Sequence, residues 1–331
     1  MPGREFWIRE TLAASTGLSQ ATCHGILMEM LAAGEVQELP PEASECGRPA
    51  RRFRYNMDYS RFGFVRLQSQ NRQKSVAVRI TDAAGRTVQE EHFDVNELPL
   101  ARLLEIMESV LDGYSSLCAL GLSYQGVVRD GKTGGWSCME ELTGLNLAAE
   151  IRKHFTVPLV IENDVNLAAW GYFQTHASET DSLAYIAFPK ANLFGCGLIS
   201  DGRLLRGSRG FAGEILYIQN LTWEEQRRQL NRPRGRADVV LQLIRPLTAL
   251  FDPERIAISG EELPKEDILY IREQCRTMLR SDFLPALYFL PDYAEDNFKG
   301  LFDLVLREFY RSIETGCHPL IKSHSNGGVI T

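Results

Sequence analysis

Along the chain the spacing of apolar residues changes character twice. Residues 7–35 carry helical spacing, residues 36–60 are rich in Pro, Glu and Arg, and from Phe62 onward strand-like and helix-like stretches alternate to the end. In that last block Phe62–Leu67, Ser75–Thr81 and Thr87–Phe93 read as successive strands, with Ala83-Ala84-Gly85 turning between the second and the third. A helix at about Leu100–Gly113, a strand at Ala119–Tyr124, a helix near Leu145–Phe155, a strand at Leu159–Glu162 and a helix starting at Asn163 or Asp164 follow. The second half repeats the theme with strands at Ser182–Phe188, Gly195–Ile199 and Leu204–Leu205, and ends in a helix at Phe298–Ile313. Two halves, each a meander followed by a crossover, predict an α/β protein with a cleft between them.

The segment Leu12–Leu27 has the form of two helices around a tight turn, with Gly17 at the turn and Ser19 placed to cap the second helix. Cys23, Leu27, Met30 and Leu31 then share a face toward a core. That leaves Ser19, Gln20, Thr22 and His24 as polar groups able to reach base edges or phosphates. On spacing alone such a pair is equally a packing αα-hairpin. The next segment favours DNA, because Val36–Glu38 and Phe53–Tyr55 can pair as a wing whose tip carries Arg48 and Arg51 beside Gly47 and Pro49. An extended arginine there suits a narrow minor groove. Residues 1–58 are therefore read as a winged helix-turn-helix and linker, and residues 59–331 as the second domain. Two features count against it: only six residues precede Trp7, where a winged helix places a further helix, and Gly25 in the second helix costs about 1 kcal/mol against Ala.

Charge sharpens this reading. The net charge of -7 over 331 residues repels a phosphate backbone, so nucleic-acid contact must come from a local patch. The seven cysteines are odd in number and never form a C-x-x-C pair, which speaks against a disulfide framework and a zinc ribbon. The chain begins without the basic flank and apolar stretch of a signal peptide, and nothing in it approaches about 18 uninterrupted apolar residues. A cytoplasmic protein without a membrane partner is expected.

Two motifs carry the chemistry: Glu162-Asn163-Asp164-Val165-Asn166, and the stretch from Asp201-Gly202 through Gly207 and Gly210-Phe211-Ala212-Gly213 to Glu214. Taken singly, Asn163 and Asp164 read as a helix cap and Glu214 as a solvated turn residue. Together they resemble the ROK family, which groups sugar-sensing repressors, such as the xylose and N-acetylglucosamine repressors, with bacterial glucokinases. The resemblance covers nearly the whole chain. It implies an actin-like, two-lobed sugar-kinase-like fold after the helix-turn-helix, a homodimer or homotetramer, and a sugar or sugar phosphate in the cleft. It also implies that Asn163, Asp164 and Glu214 accept or donate hydrogen bonds to sugar hydroxyls, Asp164 being the general base in the enzymes. At a helix N-terminus that carboxylate is expected to stay ionised.

Departures from the family pattern point away from catalysis. Where family enzymes carry Asp-x-Gly-x-Thr after the first strand, this chain reads Gln68-Ser69-Gln70-Asn71-Arg72-Gln73. The second phosphate loop is Ala191-Asn192-Leu193-Phe194-Gly195, and the third, Ser259-Gly260-Glu261-Glu262, brings acids. Phosphoryl transfer rests on positioning and charge neutralisation, so three altered loops argue that Asp164 is vestigial and that no nucleotide or other cofactor is needed. The family's Gly-His and cysteine-rich zinc loop after the Glu is replaced by Ile215-Leu216-Tyr217, so no metal is expected and Tyr217 stands where a His would meet the sugar. These observations lead to a sugar-responsive DNA-binding regulator, a repressor of operator DNA, as the expected function. An active sugar kinase and a sugar sensor that has left DNA are the alternatives.

Overall fold

The structure is a computed structural model that describes residues 6–40, 50–70, 73–137, 139–188, 194–219, 221–260 and 263–316. At the N-terminus β1 (Trp7–Ile8) leads into α1 (Arg9–Thr16) and α2 (Gln20–Ala32), followed by β2 (Val36–Leu39) and β3 (Arg52–Tyr55). Gly17 ends α1 in the left-handed region, and Ser19 Oγ accepts the Thr22 N–H at 3.1 Å as the cap of α2. β3 lies between β1 and β2, with Phe53 opposite both Trp7 and Glu38. Ala13, Cys23, Leu27, Val36 and Phe53 form the small buried centre. This unit joins the body through Asn56, whose Nδ2 donates to Gly34 O at 2.9 Å, and through Met57, whose carbonyl accepts from Ala83 N at 3.0 Å.

The first lobe holds β4 (Arg61–Gln70), β5 (Gln73–Thr81), β6 (Thr87–Val95), α3 (Leu100–Leu111), β7 (Leu117–Tyr124), the hairpin β8 (Gly126–Arg129) and β9 (Lys132–Ser137), α4 (Leu147–Ile151) and β10 (Leu159–Asn163). Its sheet runs β10-β7-β4-β5-β6, an antiparallel meander extended by two parallel strands. The apolar stripe of α3, with Leu103, Met107 and Val110, packs on Val65, Leu67, Val76 and Val78 of this sheet. The second lobe repeats the order: α5 (Asp164–His176), β11 (Leu183–Phe188), β12 (Gly195–Ser200), β13 (Arg203–Leu204), α6 (Trp223–Leu230), α7 (Gly235–Phe251), β14 (Arg255–Gly260), α8 (Lys265–Met278), β15 (Ala286–Leu290) and α9 (Ala294–Glu314). Its sheet runs β13-β12-β11-β14-β15. The architecture is thus a mixed α/β fold of two lobes, each built on a five-stranded sheet of parallel and antiparallel strands.

Two helices tie the lobes together. α5 packs on the second sheet through Val165, Ala169 and Phe173, whereas α9 packs on the first through Leu301, Val305 and Phe309. They cross where Gly171 faces Gly300: a Cβ on Gly171 would lie 1.9 Å from Asp296 O, and one on Gly300 would lie 2.0 Å from Leu167 O. Only glycine permits that approach. Around the crossing, Trp170 Nε1 donates to Asp303 at 2.7 Å and Tyr185 Oη to Asp296 at 3.0 Å.

Two elements differ from the sequence reading. The hairpin of β8 and β9 was unanticipated between Tyr124 and the next helix; Asp130 (φ 51°) and Gly131 (φ 74°) form its two-residue turn, a standard Asp-Gly signal. The helix expected at Leu145–Phe155 shrinks to Leu147–Ile151, because Asn146 caps it by accepting from Ala149 N at 3.1 Å.

Candidate functional site

The strand-to-helix step from β10 to α5 positions the first motif. Asn163 Oδ1 accepts the N–H groups of Val165 and Asn166, both at 2.9 Å, and its Nδ2 donates to Gly126 O at 3.0 Å. Asn163 is therefore the N-cap of α5 and a brace to the β8 hairpin, with a single amide hydrogen left for a ligand. Its neighbour Glu162 is buried. Glu162 Oε1 accepts Asn163 N at 2.9 Å and Asn166 Nδ2 at 3.0 Å, and Oε2 accepts Arg206 Nε at 2.5 Å.

Asp164 lies just inside the helix and is 5% exposed. Burial pushes its carboxyl up to about 7, with the charge of Glu214 adding to the rise, while the Tyr293 hydroxyl and the Val165 N–H oppose it. The expected permanent ionisation is thus corrected: a helix N-terminus contributes less than removal from water costs, so the carboxyl of Asp164 is raised well above the ordinary carboxylate range. Glu214 shares this environment, and burial raises its carboxyl too. It is set there by Gly213 (φ +90°), which passes so close to β12 that an added Cβ would lie 1.8 Å from Cys196 O. Tyr217 departs from this pair. The 3-10 turn Ile215–Ile218 buries Ile215 in the second lobe, which turns Tyr217 outward to 65% exposure with its ring 5.0 Å from that of Phe211. The structure brings Asp164 and Glu214 together and leaves Tyr217 on the surface.

Tyr293, which the sequence did not signal, completes the cluster. Its hydroxyl donates to Asp164 Oδ2 at 3.3 Å, and the side chains of Gln125 and Gln68 lie beside it. Gln125 Oε1 in turn accepts Ser69 N at 2.7 Å. β4 and β5 stay paired to Gln70 and Gln73, while Asn71 and Arg72 of the expected first phosphate loop lie outside the described residues. Asn297, at the start of α9, donates to Ser123 Oγ at 3.0 Å and to Asp164 O at 2.7 Å. Of the other two expected phosphate loops, Ala191–Leu193 and Glu261–Glu262 lie outside the described residues; Phe194 is buried against Phe188, with ring centroids 5.6 Å apart.

In the N-terminal unit, Ser19, Gln20, Thr22 and His24 are all exposed along the start of α2. Ser19 Oγ caps the helix and pairs with Thr22 Oγ1 at 2.8 Å. Arg51 is exposed but forms a two-pronged ion pair with Glu38, one prong being Nε to Oε1 at 2.5 Å. Arg48 lies outside the described residues. No helix among the described residues is long and apolar enough to cross a membrane.

Residues 73–223 match the model of the ROK family. Over 135 residues, 39% of this chain, the sequence is 27% identical to the xylose repressor of Staphylococcus xylosus, and over 77 residues, 23% of this chain, it is 38% identical to an uncharacterised protein of Clostridium perfringens. These stretches span 35% and 25% of the relatives' own lengths. Among solved structures, a ROK family transcriptional regulator homologous to the E. coli MLC protein superposes with a TM-score of 0.59 at 20% identity, covering 92% of this chain and 95% of its own. A ROK family protein of Streptococcus pneumoniae in complex with sucrose gives a TM-score of 0.61 at 16% identity, covering 75% of this chain and 99% of its own. The ROK hexokinase of Thermus thermophilus gives 0.56 at 18% identity, covering 77% and 100%. The chain carries a ROK family domain.

Proposed function

We propose that the protein is a sugar-responsive, DNA-binding transcriptional repressor whose kinase-like body recognises a carbohydrate without phosphorylating it. One observation carries the reading: Asp164, the residue that would serve as base, is buried, accepts the Tyr293 hydroxyl and lies in the field of Glu214, with Asn163 capping the same helix. Carboxyl, hydroxyl and amide groups of this kind suit sugar hydroxyls, whereas phosphoryl transfer requires cations and open backbone beside the base. Asp164, Glu214 and the remaining amide hydrogen of Asn163 form the sugar contacts in this reading, and Asn297 holds Asp164 in place.

The DNA side rests on the strand, two helices and hairpin of the N-terminal unit, an order that suits a winged helix. Gln20, Thr22 and His24 on α2 would face the groove, and Arg48 would reach the backbone from the wing. The regulator structure overlaps 92% of this chain and the two kinase-like structures about three quarters, which favours a regulator's organisation. Domains of 1–58 and 59–331 and a dimer on a two-fold operator belong to the same reading.

Fluorescence anisotropy with labelled duplexes from its own upstream region tests this. Binding should weaken steeply with salt and change when the matching sugar is added. ATP-dependent turnover of a hexose, abolished by Asp164→Asn, would instead establish a kinase. A second reading, a sensor that has left DNA, is favoured by the neutralisation of Arg51 by Glu38. Failure to bind any such duplex at low salt, with sugar binding intact, would select it.

A further inference from the structure

Beside the free edge of β10 lies a cleft of about 790 Å³ that the sugar reading does not use. Four consecutive residues, Leu159 to Glu162, line it. Side chains alternate along a strand, so a cavity touched by successive residues runs along the strand's edge rather than over one face. Five arginines also line it, at 129, 152, 206, 307 and 311, against three acids, Asp130, Glu162 and Glu308. In a chain of net charge -7 this is a local excess of positive charge.

Not all five are available. Arg307 is engaged by Asp303 at 2.6 Å and by Gln174 at 3.3 Å, and Arg206 by Glu162. Arg129 and Arg311 stand 3.6 Å and 3.7 Å from Asp130 and Glu308, beyond a good hydrogen bond, with side chains 58% and 73% exposed. Pairs of that kind contribute little. Arg152 makes no ion pair among the described residues. Three guanidinium groups from three separate elements, the β8–β9 turn, the end of α4 and the last turns of α9, thus converge on one concave space without strong partners.

We propose that this cleft is an anion site for a small molecule carrying two phosphate groups. The guanidinium fork matches phosphate geometry, and the volume is that of a metabolite pocket. An uncharged sugar would leave the arginines unused, and a DNA duplex is too wide to enter. The site also borders the sugar cleft. Arg206 Nε binds Glu162 Oε2 at 2.5 Å, while Glu162 Oε1 holds the cap of α5, so an anion that displaced Glu162 from Arg206 would act on the helix that presents Asp164.

Inorganic pyrophosphate is the probe, used on the full chain by thermal shift and calorimetry, with sodium chloride matched for ionic strength. Pyrophosphate should raise the midpoint by a few degrees and chloride should not. In the double variant Arg152→Ala, Arg311→Ala, the affinity should fall at least tenfold, whereas Arg228→Ala, exposed on α6, should leave it unchanged. Both altered arginines are exposed, and an unchanged midpoint without ligand verifies the fold. No response to pyrophosphate, or a response that survives the double variant, overturns the proposal. Preferential binding of a Glu-rich peptide that pyrophosphate cannot displace also overturns it, assigning the groove to strand addition by an acidic peptide.

Discussion

Asp164 sits at a point where its protonation reports on the fold. Its folded value of about 7 stands above the ordinary carboxylate value near 3.9, so between those two pH values the folded state holds a proton that the unfolded state has lost. Its contribution to stability therefore falls as pH rises from about 4 to about 7 and is flat above. Asp164→Asn removes that dependence. The variant should gain midpoint over the parent at pH 8 and gain little at pH 5, as followed by thermal unfolding at both values. At the same scale, Glu38→Gln releases Arg51 from its ion pair. If the hairpin approaches DNA, the variant should bind duplex several-fold tighter at low salt, with a steeper salt dependence in the anisotropy titration. Asn163, Asp164 and Glu214 were legible as motifs because their chemistry is written in contiguous residues. Tyr293 was not: it meets Asp164 across 129 positions of chain, and a single tyrosine before a helix carries no local signal. The inward turn of Glu214 and outward turn of Tyr217 follow from the 3-10 turn between them, which short-range periodicity does not specify.

Among the elements, α2 shows where the sequence is locally unfavourable without a packing reason. Nothing lies within 4 Å of a Cβ built on Gly25. Gly25→Ala should raise stability by about 0.5–1 kcal/mol, read from chemical denaturation, and leave the exposed polar side chains of α2 in place. The start of α5 behaves oppositely. Asn163→Ala removes the cap of two N–H groups and the donor to Gly126 O, a loss of about 1–2 kcal/mol. Most strands and the long helices were readable, because the alternation of Val76–Ile80 and the apolar stripe of α3 repeat over enough residues to fix their type. The β8 hairpin escaped because Lys132–Ser137 is glycine-rich and polar, so its strand pattern is weak even though Asp130-Gly131 marks the turn.

At the scale of the whole molecule, the division into two α/β halves followed from the repeated meander-and-crossover pattern, but the way the lobes meet did not. That junction depends on two glycines, one in each helix, separated by 129 positions of sequence. Gly300→Val would drive a side chain into the Leu167 carbonyl. It should destabilise the protein by several kcal/mol or split unfolding into separate transitions for the lobes, visible by calorimetry.

The glycine contact has a mechanical meaning. Backbone resting on backbone sets the separation of α5 and α9 at this one point. The far end of α9 carries Phe309, edge-on to Phe62 at 5.3 Å, and Phe62 follows directly on the link from Met57 to Ser60 that leaves the N-terminal unit. An angular change at that crossing would move the far end of α9 most, and with it Phe62, two residues beyond the connector to the N-terminal unit.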